Sequence, residues 1–176
     1  MHEATETARL FTGDLFADLI QKAGESPRRR TNFNFHGGAE EPCHRFLNVM
    51  MQDTYIAPHR HVTPLKAESF LLLEGQGAFF VFDDAGEVLR CDLLDAGAAR
   101  HTPDVAGSVG IDVTPGVWHS MVVLSPHVVC FEVKPGPYDP ATDKEFASFA
   151  PVEGADNAHE YLEWMRQYAR EKHGLA

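Results

Sequence analysis

From Arg45 onward, for roughly ninety residues, short apolar runs alternate with Gly, Pro, Asp and Asn signals, and no helical periodicity interrupts them. The pattern predicts strands over 45–51, 54–61, 67–74, 77–83, 87–93, 109–114, 119–125 and 127–134. Asp83-Asp-Ala-Gly86, between Phe82 and Val88, reads as a hairpin turn. The Gly- and Ala-rich stretch between Leu94 and Gly110, which holds His101, reads as a surface loop. Eight or so antiparallel strands without repeats or crossover helices must close on themselves to hide their edges. A barrel or stacked double sheet results, and a jelly roll fits best.

Helical signals are confined to the two flanks. Thr12 or Asp14 can cap a first helix whose stripe is Leu15, Phe16, Leu19, Ile20 and Ala23, with Gly24 as its stop. Arg28-Arg-Arg30 then precedes an extended edge segment in which Asn32, Asn34 and His36 alternate with Phe33 and Phe35. The arginines read either as a solvated basic turn or as a source of one cation for an anionic substrate or a partner protomer. The chain leaves β structure through Lys134-Pro-Gly-Pro-Tyr-Asp-Pro140. A last helix is expected to open at Asn157, with Glu160 at capping-box spacing and a stripe of Ala158, Tyr161, Leu162, Met165, Tyr168 and Ala169. The expected layout is a mainly β single domain, with a helix and arm over 1–44, the barrel over 45–134 and a tail and helix over 135–176. The last helix and the outer sheet offer apolar surface for a homodimer.

Charge narrows the partners. The formal net charge is -11, from 26 acidic and 15 basic residues, which repels phosphate backbones and anionic lipid. A small-molecule ligand is expected, and neither nucleic acid nor membrane. No charged-apolar-small leader opens the sequence and its apolar runs are too short to cross a bilayer, so the expected location is cytoplasmic. Cys43, Cys91 and Cys130 are odd in number and lack C-x-x-C spacing, which argues for free thiols over disulfides or a zinc knuckle. Cys130 reads as core filler, and Cys43 as the thiol open to reaction if exposed.

Four residues point to a metal site. On a strand, His59 and His61 share a face roughly 6.6 Å apart, close enough for two imidazoles to meet an ion at about 2.1 Å, while Arg60 turns the other way. Glu68 shares its face with Phe70 and Leu72, where a carboxylate is costly unless paired or bound to a cation. His119 follows the turn Thr114-Pro-Gly-Val-Trp118 and shares its face with Met121 and Val123. Three imidazoles and a carboxylate suit one divalent transition metal ion, such as zinc, iron, nickel or manganese, with positions left open. Such an ion serves isomerisation, epimerisation or hydrolysis, and iron adds oxygen activation.

The chain resembles the cupin superfamily and, more narrowly, looks like the WbuC family of cupin-fold metalloproteins. The resemblance is carried by Arg45-Phe-Leu-Asn48, Tyr55-Ile-Ala-Pro-His-Arg-His61, Lys66, Glu68, Pro115-Gly-Val-Trp-His119, Phe131-Glu-Val-Lys-Pro-Gly-Pro-Tyr-Asp-Pro140 and Asp143-Lys144, over roughly residues 28–154. The first cupin motif is met at His59, His61, Glu68 and Gly75, and the second at Gly116 and His119. In this sequence Asp53 replaces the first glycine of the motif, Thr114 a proline and Val123 an asparagine, and six residues separate His61 from Glu68. The resemblance implies a metal-binding double-stranded β-helix, associated with bacterial surface-polysaccharide gene clusters, and names no reaction.

Around the metal, Glu132 is the candidate general base if it faces the barrel cavity, and otherwise a surface carboxylate paired with Lys134 or Arg45. Arg45 and Asn48 fall on opposite faces of one strand, so at most one reaches a substrate unless a bulge intervenes. Lys66 and Tyr138 are candidates to hold a carboxylate or phosphate at the cavity mouth. An enzyme on a small polar or carbohydrate-like substrate, a non-catalytic ligand-binding module and a metal-stabilised scaffold all remain open at this stage.

Overall fold

The computed structural model describes residues 8–100 and 107–175, which leaves His101 outside the described residues. Helix α1 (Gly13–Glu25) is followed by β1 (Arg30–Asn34), β2 (Cys43–Met51), β3 (His59–Arg60), β4 (Glu68–Glu74), β5 (Gln76–Phe82) and β6 (Val88–Asp95). After a short 3-10 turn (Ala96–Arg100) come β7 (Gly110–Val113), β8 (Trp118–Val123), β9 (His127–Pro135), β10 (Glu145–Phe146) and α2 (Ala158–His173). The strands form two five-stranded antiparallel sheets, ordered β1-β2-β9-β4-β7 and β10-β3-β8-β5-β6. The fold is mainly β, a jelly-roll barrel with one helix on each flank.

Both faces of each sheet are covered. Between the sheets lie Met50, Leu72, Phe79, Met121, Val123 and Val128. Outside the first sheet, Leu19 and Ala23 of α1 pack on Leu47, Val49 and Val129. Outside the second, Leu162, Met165 and Ala169 of α2 pack on Ala78, Phe80 and Val122. Burial on both sides explains why β8 reads as an unbroken apolar run around His119 and Ser120: all six of its residues are buried. Each fully buried large apolar side chain is worth about 1.5–3 kcal/mol. The apolar stripe of α2 therefore covers the outer face of the second sheet within the chain.

Several boundaries differ from the sequence expectation for identifiable reasons. Thr12 caps α1 by accepting Leu15 N–H at 3.2 Å, but the helix runs through Gly24 to Glu25 and ends at Ser26, which caps it in extended conformation. Asn157 sits at the start of α2 without a side-chain cap bond, so the expected capping box does not form. Residues 54–58 are not a strand, because their carbonyls find side chains instead: Tyr55 O accepts from Arg30 and Ile56 O from Ser120. The 83–86 turn forms as expected, with Asp83 Oδ1 accepting from Ala85 and Glu87 N–H and Gly86 at φ 89°. Arg28 and Arg30 both bind Glu153, and Arg29 binds Asp53, so the basic turn is engaged within the chain. Among the described residues no helix is long and apolar enough to cross a membrane.

Candidate metal centre

His59 and His119 are direct cross-strand partners on β3 and β8, and the two carry the same local device. Each Nδ1 meets the carbonyl oxygen two residues back, Ala57 O and Val117 O, both at 2.9 Å. A carbonyl can only accept, so each Nδ1 carries the proton and each Nε2 is left with a lone pair. His61, just beyond β3, directs its Nδ1 to Asp143 O and is fixed in the same tautomer. The six residues after His61 form a turn closed by the Val62 to Leu65 bridge, which returns the chain so that Glu68 opens β4 on the inner face.

The four side chains converge. One ligand atom from each of His59, His61, Glu68 and His119 lies within 4.8 Å of all the others, and all four residues are buried. Glu68 Oε1 is 3.1 Å from His61 Nε2 and Oε2 is 3.1 Å from His119 Nε2. With Nδ1 already protonated, these contacts are attractive only if a proton or another cation stands between nitrogen and oxygen. Burial alone would raise the Glu68 carboxyl, but the contacts with His119 and His61 and the Lys134 ammonium outweigh it and hold its pKa below the usual range. His59 is held well below the ordinary imidazole value by burial, Lys144 and His119, so its Nε2 keeps its lone pair. His61 Nε2 is buried without a hydrogen-bond partner. Such a donor set, three imidazole nitrogens and one carboxylate aimed at one point, fits a transition-metal ion.

Behind these four side chains sits a buried ionic relay. Asp143, whose carbonyl orients His61, takes Lys66 Nζ at 2.8 Å on one carboxylate oxygen and Lys134 Nζ at 3.0 Å on the other. Lys134 also reaches Glu68 Oε1 at 3.4 Å. Opposing burial, Glu132, Glu68 and Asp143 raise the Lys134 pKa, which keeps it charged. Arg60, facing outward between the two histidines, lies 4.2 Å over the Trp118 ring and binds Glu145 and Asp84. That contact set clamps the two-residue strand β3 from outside.

In front of the cluster is a cavity lined by His59, His119, Glu68, Asn48, Glu132 and Lys144 over a floor of Met50, Phe70, Phe79 and Met121. Glu132 is buried, accepts from Asn48 Nδ2 at 3.1 Å, and is pushed up to about 7 by burial and by Glu68. Asn48 Oδ1 is buried with no partner. Arg45 lies on the other face of β2, exposed and 3.8 Å from Glu41, and the structure does not bring it to the cavity. Lys66 is at the relay, not at the cavity mouth, and also holds Pro137 O at 2.7 Å. Tyr138 is 43% exposed, with its ring centroid 5.9 Å from Lys134 Nζ. Lys134, Asp143 and Lys144 were not singled out as site residues from the sequence. Their signal was the family resemblance, which Lys134 and the pair Asp143-Lys144 help to carry.

Comparisons with known proteins agree with this architecture. Residues 11–94 match a family described as a domain of unknown function, DUF6016. No curated protein matches. The capsular polysaccharide assembling protein CapF from Staphylococcus aureus superposes with a TM-score of 0.53 at 17% identity, covering 69% of this chain and 32% of CapF. Protein SO0799 from Shewanella oneidensis gives 0.53 at 12% identity, covering 95% of this chain and 98% of that one. A salicylate 1,2-dioxygenase variant from Pseudoaminobacter salicylatoxidans, solved with gentisate, gives 0.52 at 13% identity over 78% of this chain and 37% of that one. The chain thus spans about a third of the length of CapF. These likenesses establish the cupin fold, and the buried histidine–glutamate cluster fits a metal-binding cupin.

Proposed function

We propose that the protein is a metal-dependent enzyme of the WbuC kind, acting on a small polar or carbohydrate-like substrate in the cavity beside His59, His61, Glu68 and His119. One observation carries the reading: three imidazoles, each with Nδ1 committed to a carbonyl, turn their Nε2 atoms toward one carboxylate. When bound there, a zinc, iron, nickel or manganese ion supplies a Lewis acid for a substrate carbonyl or hydroxyl. The chain does the rest. Asp143, Lys66 and Lys134 hold His61 and Glu68 in place, and Phe70, Phe79 and Met121 form an apolar floor under the reacting face. Glu132, buried beside the ligands and steadied by Asn48, takes or returns a proton at its Oε atoms. The resemblance to WbuC proteins and the name of CapF support a role in building surface polysaccharide.

The test begins with elemental analysis of protein purified without chelators. About one transition-metal ion per chain is expected, falling sharply in His59→Ala and His119→Ala while the far-ultraviolet spectrum stays β-rich. Stoichiometric metal in both variants rejects the ligand assignment. Incubating loaded protein with small hydroxy and keto acids and with nucleotide sugars, with and without oxygen, is expected to show turnover that Glu132→Gln abolishes. Saturable binding with no turnover would make the protein a ligand-binding module instead.

A further inference from the structure

Three lysines approach the buried site, and they are not equivalent. Lys66 and Lys134 are both tied to Asp143, and Lys134 also to Glu68. Lys144 is exposed as a residue, and its side chain lines the cavity. Among the described residues no carboxylate stands in ion-pair contact with it, whereas every other charge at the site has such a contact or, like Glu132, a hydrogen bond. A divalent ion held by His59, His61, Glu68 and His119 would add further positive charge beside it, with no carboxylate in contact to offset that charge.

A second orphan shares the cavity. Asn48 turns its Nδ2 to Glu132 and leaves Oδ1 buried with nothing to accept from. The cavity therefore presents an ammonium with no carboxylate in contact, Glu68 and Glu132 acting on it only at longer range, and one acceptor without a donor, over an apolar floor. Its size limits what can answer both. The volume open to the centres of water molecules is about 40 Å³. A single water needs about 10–15 Å³ by the same measure, so the space holds about three waters or a ligand of comparable bulk. A neutral polyol would leave Lys144 unmatched.

We propose that this cavity binds a short-chain hydroxy acid, its carboxylate paired with the Lys144 ammonium and its hydroxyl donating to Asn48 Oδ1. This deepens the metal-enzyme reading of the same site and rests on it. Lys144 acts as the specificity-determining residue, delivered to the cavity by the segment between β9 and β10. The ligand's carboxylate restores the missing counter-charge, and its short carbon chain covers Met50 and Met121 on the floor.

Calorimetric titration with lactate and with lactamide, which lacks the charge, tests the pairing on metal-loaded and metal-free protein. Lactate is expected to bind the loaded protein roughly tenfold or more tightly than lactamide. Lys144→Met should remove that preference, and Lys144→Arg should restore part of it, with metal content unchanged in both. Equal affinity for the two ligands, or full lactate affinity in Lys144→Met, overturns the proposal. Lys144-dependent lactate binding by a protein that takes up no metal would refute the metal reading and leave the acid site standing. Stoichiometric metal without lactate preference would do the reverse.

Discussion

The space between the two sheets has an apolar end and a charged end, and the same strands build both. Along β8 the inward residues run His119, Met121, Val123; along β4 they run Glu68, Phe70, Leu72. On β9 the inward series passes from Lys134 and Glu132 to Cys130 and Val128, and on β2 from Asn48 to Met50. The two-residue period is unbroken from one end to the other. What changes is the polarity of each inward row, and the change is staggered by one inward position from strand to strand: Phe70 lies across from Glu132, and Cys130 across from Asn48. At the apolar end burial is favourable in itself; at the charged end every buried group depends on a partner.

That contrast can be broken from either side. Asp143→Ala should have the largest effect, destabilising by about 4 kcal/mol in urea unfolding, because it leaves Lys66 and Lys134 buried without their shared carboxylate. A loss below about 1 kcal/mol would mean that water reaches the relay. Leu72→Ala, at the other end, should cost about 3 kcal/mol by leaving a cavity, with metal stoichiometry unaltered. Coupled loss of metal would show that the two ends are not independent. Stripping metal with a chelator should lower stability of the native protein by about 2–3 kcal/mol at saturating ion, and leave His59→Ala unmoved. The smallest effect separates the thiols. Burial pushes Cys91 up to about 11 and raises Cys130 further, so a maleimide should label the exposed Cys43 alone in folded protein and all three after denaturation.

Much of the charged end was legible in the sequence because period two is a strong constraint. His59, Glu68 and His119 each sit among apolar neighbours at alternating positions, and the strands deliver them to one side. The face of Asn48 followed from the same alternation. The expected strand over 54–61 shrank to two residues because Pro58 and side-chain acceptors take over backbone bonding that a sheet would otherwise provide. The relay was not legible, because nothing local distinguishes a lysine that meets Asp143 from one at the surface. Lys66 and Asp143 are 77 positions apart, and only the return of the tail across the barrel joins them.

The segment between β9 and β10 carries Asp143 and Lys144 but contributes little to the core, with Ala147 the nearest buried apolar residue beyond it. Two duties are thus written on adjacent letters of one connector: Asp143 secures the cradle, and Lys144 meets whatever arrives. Exchange of the second letter alone could retarget the protein toward a different guest while the cradle and scaffold stand.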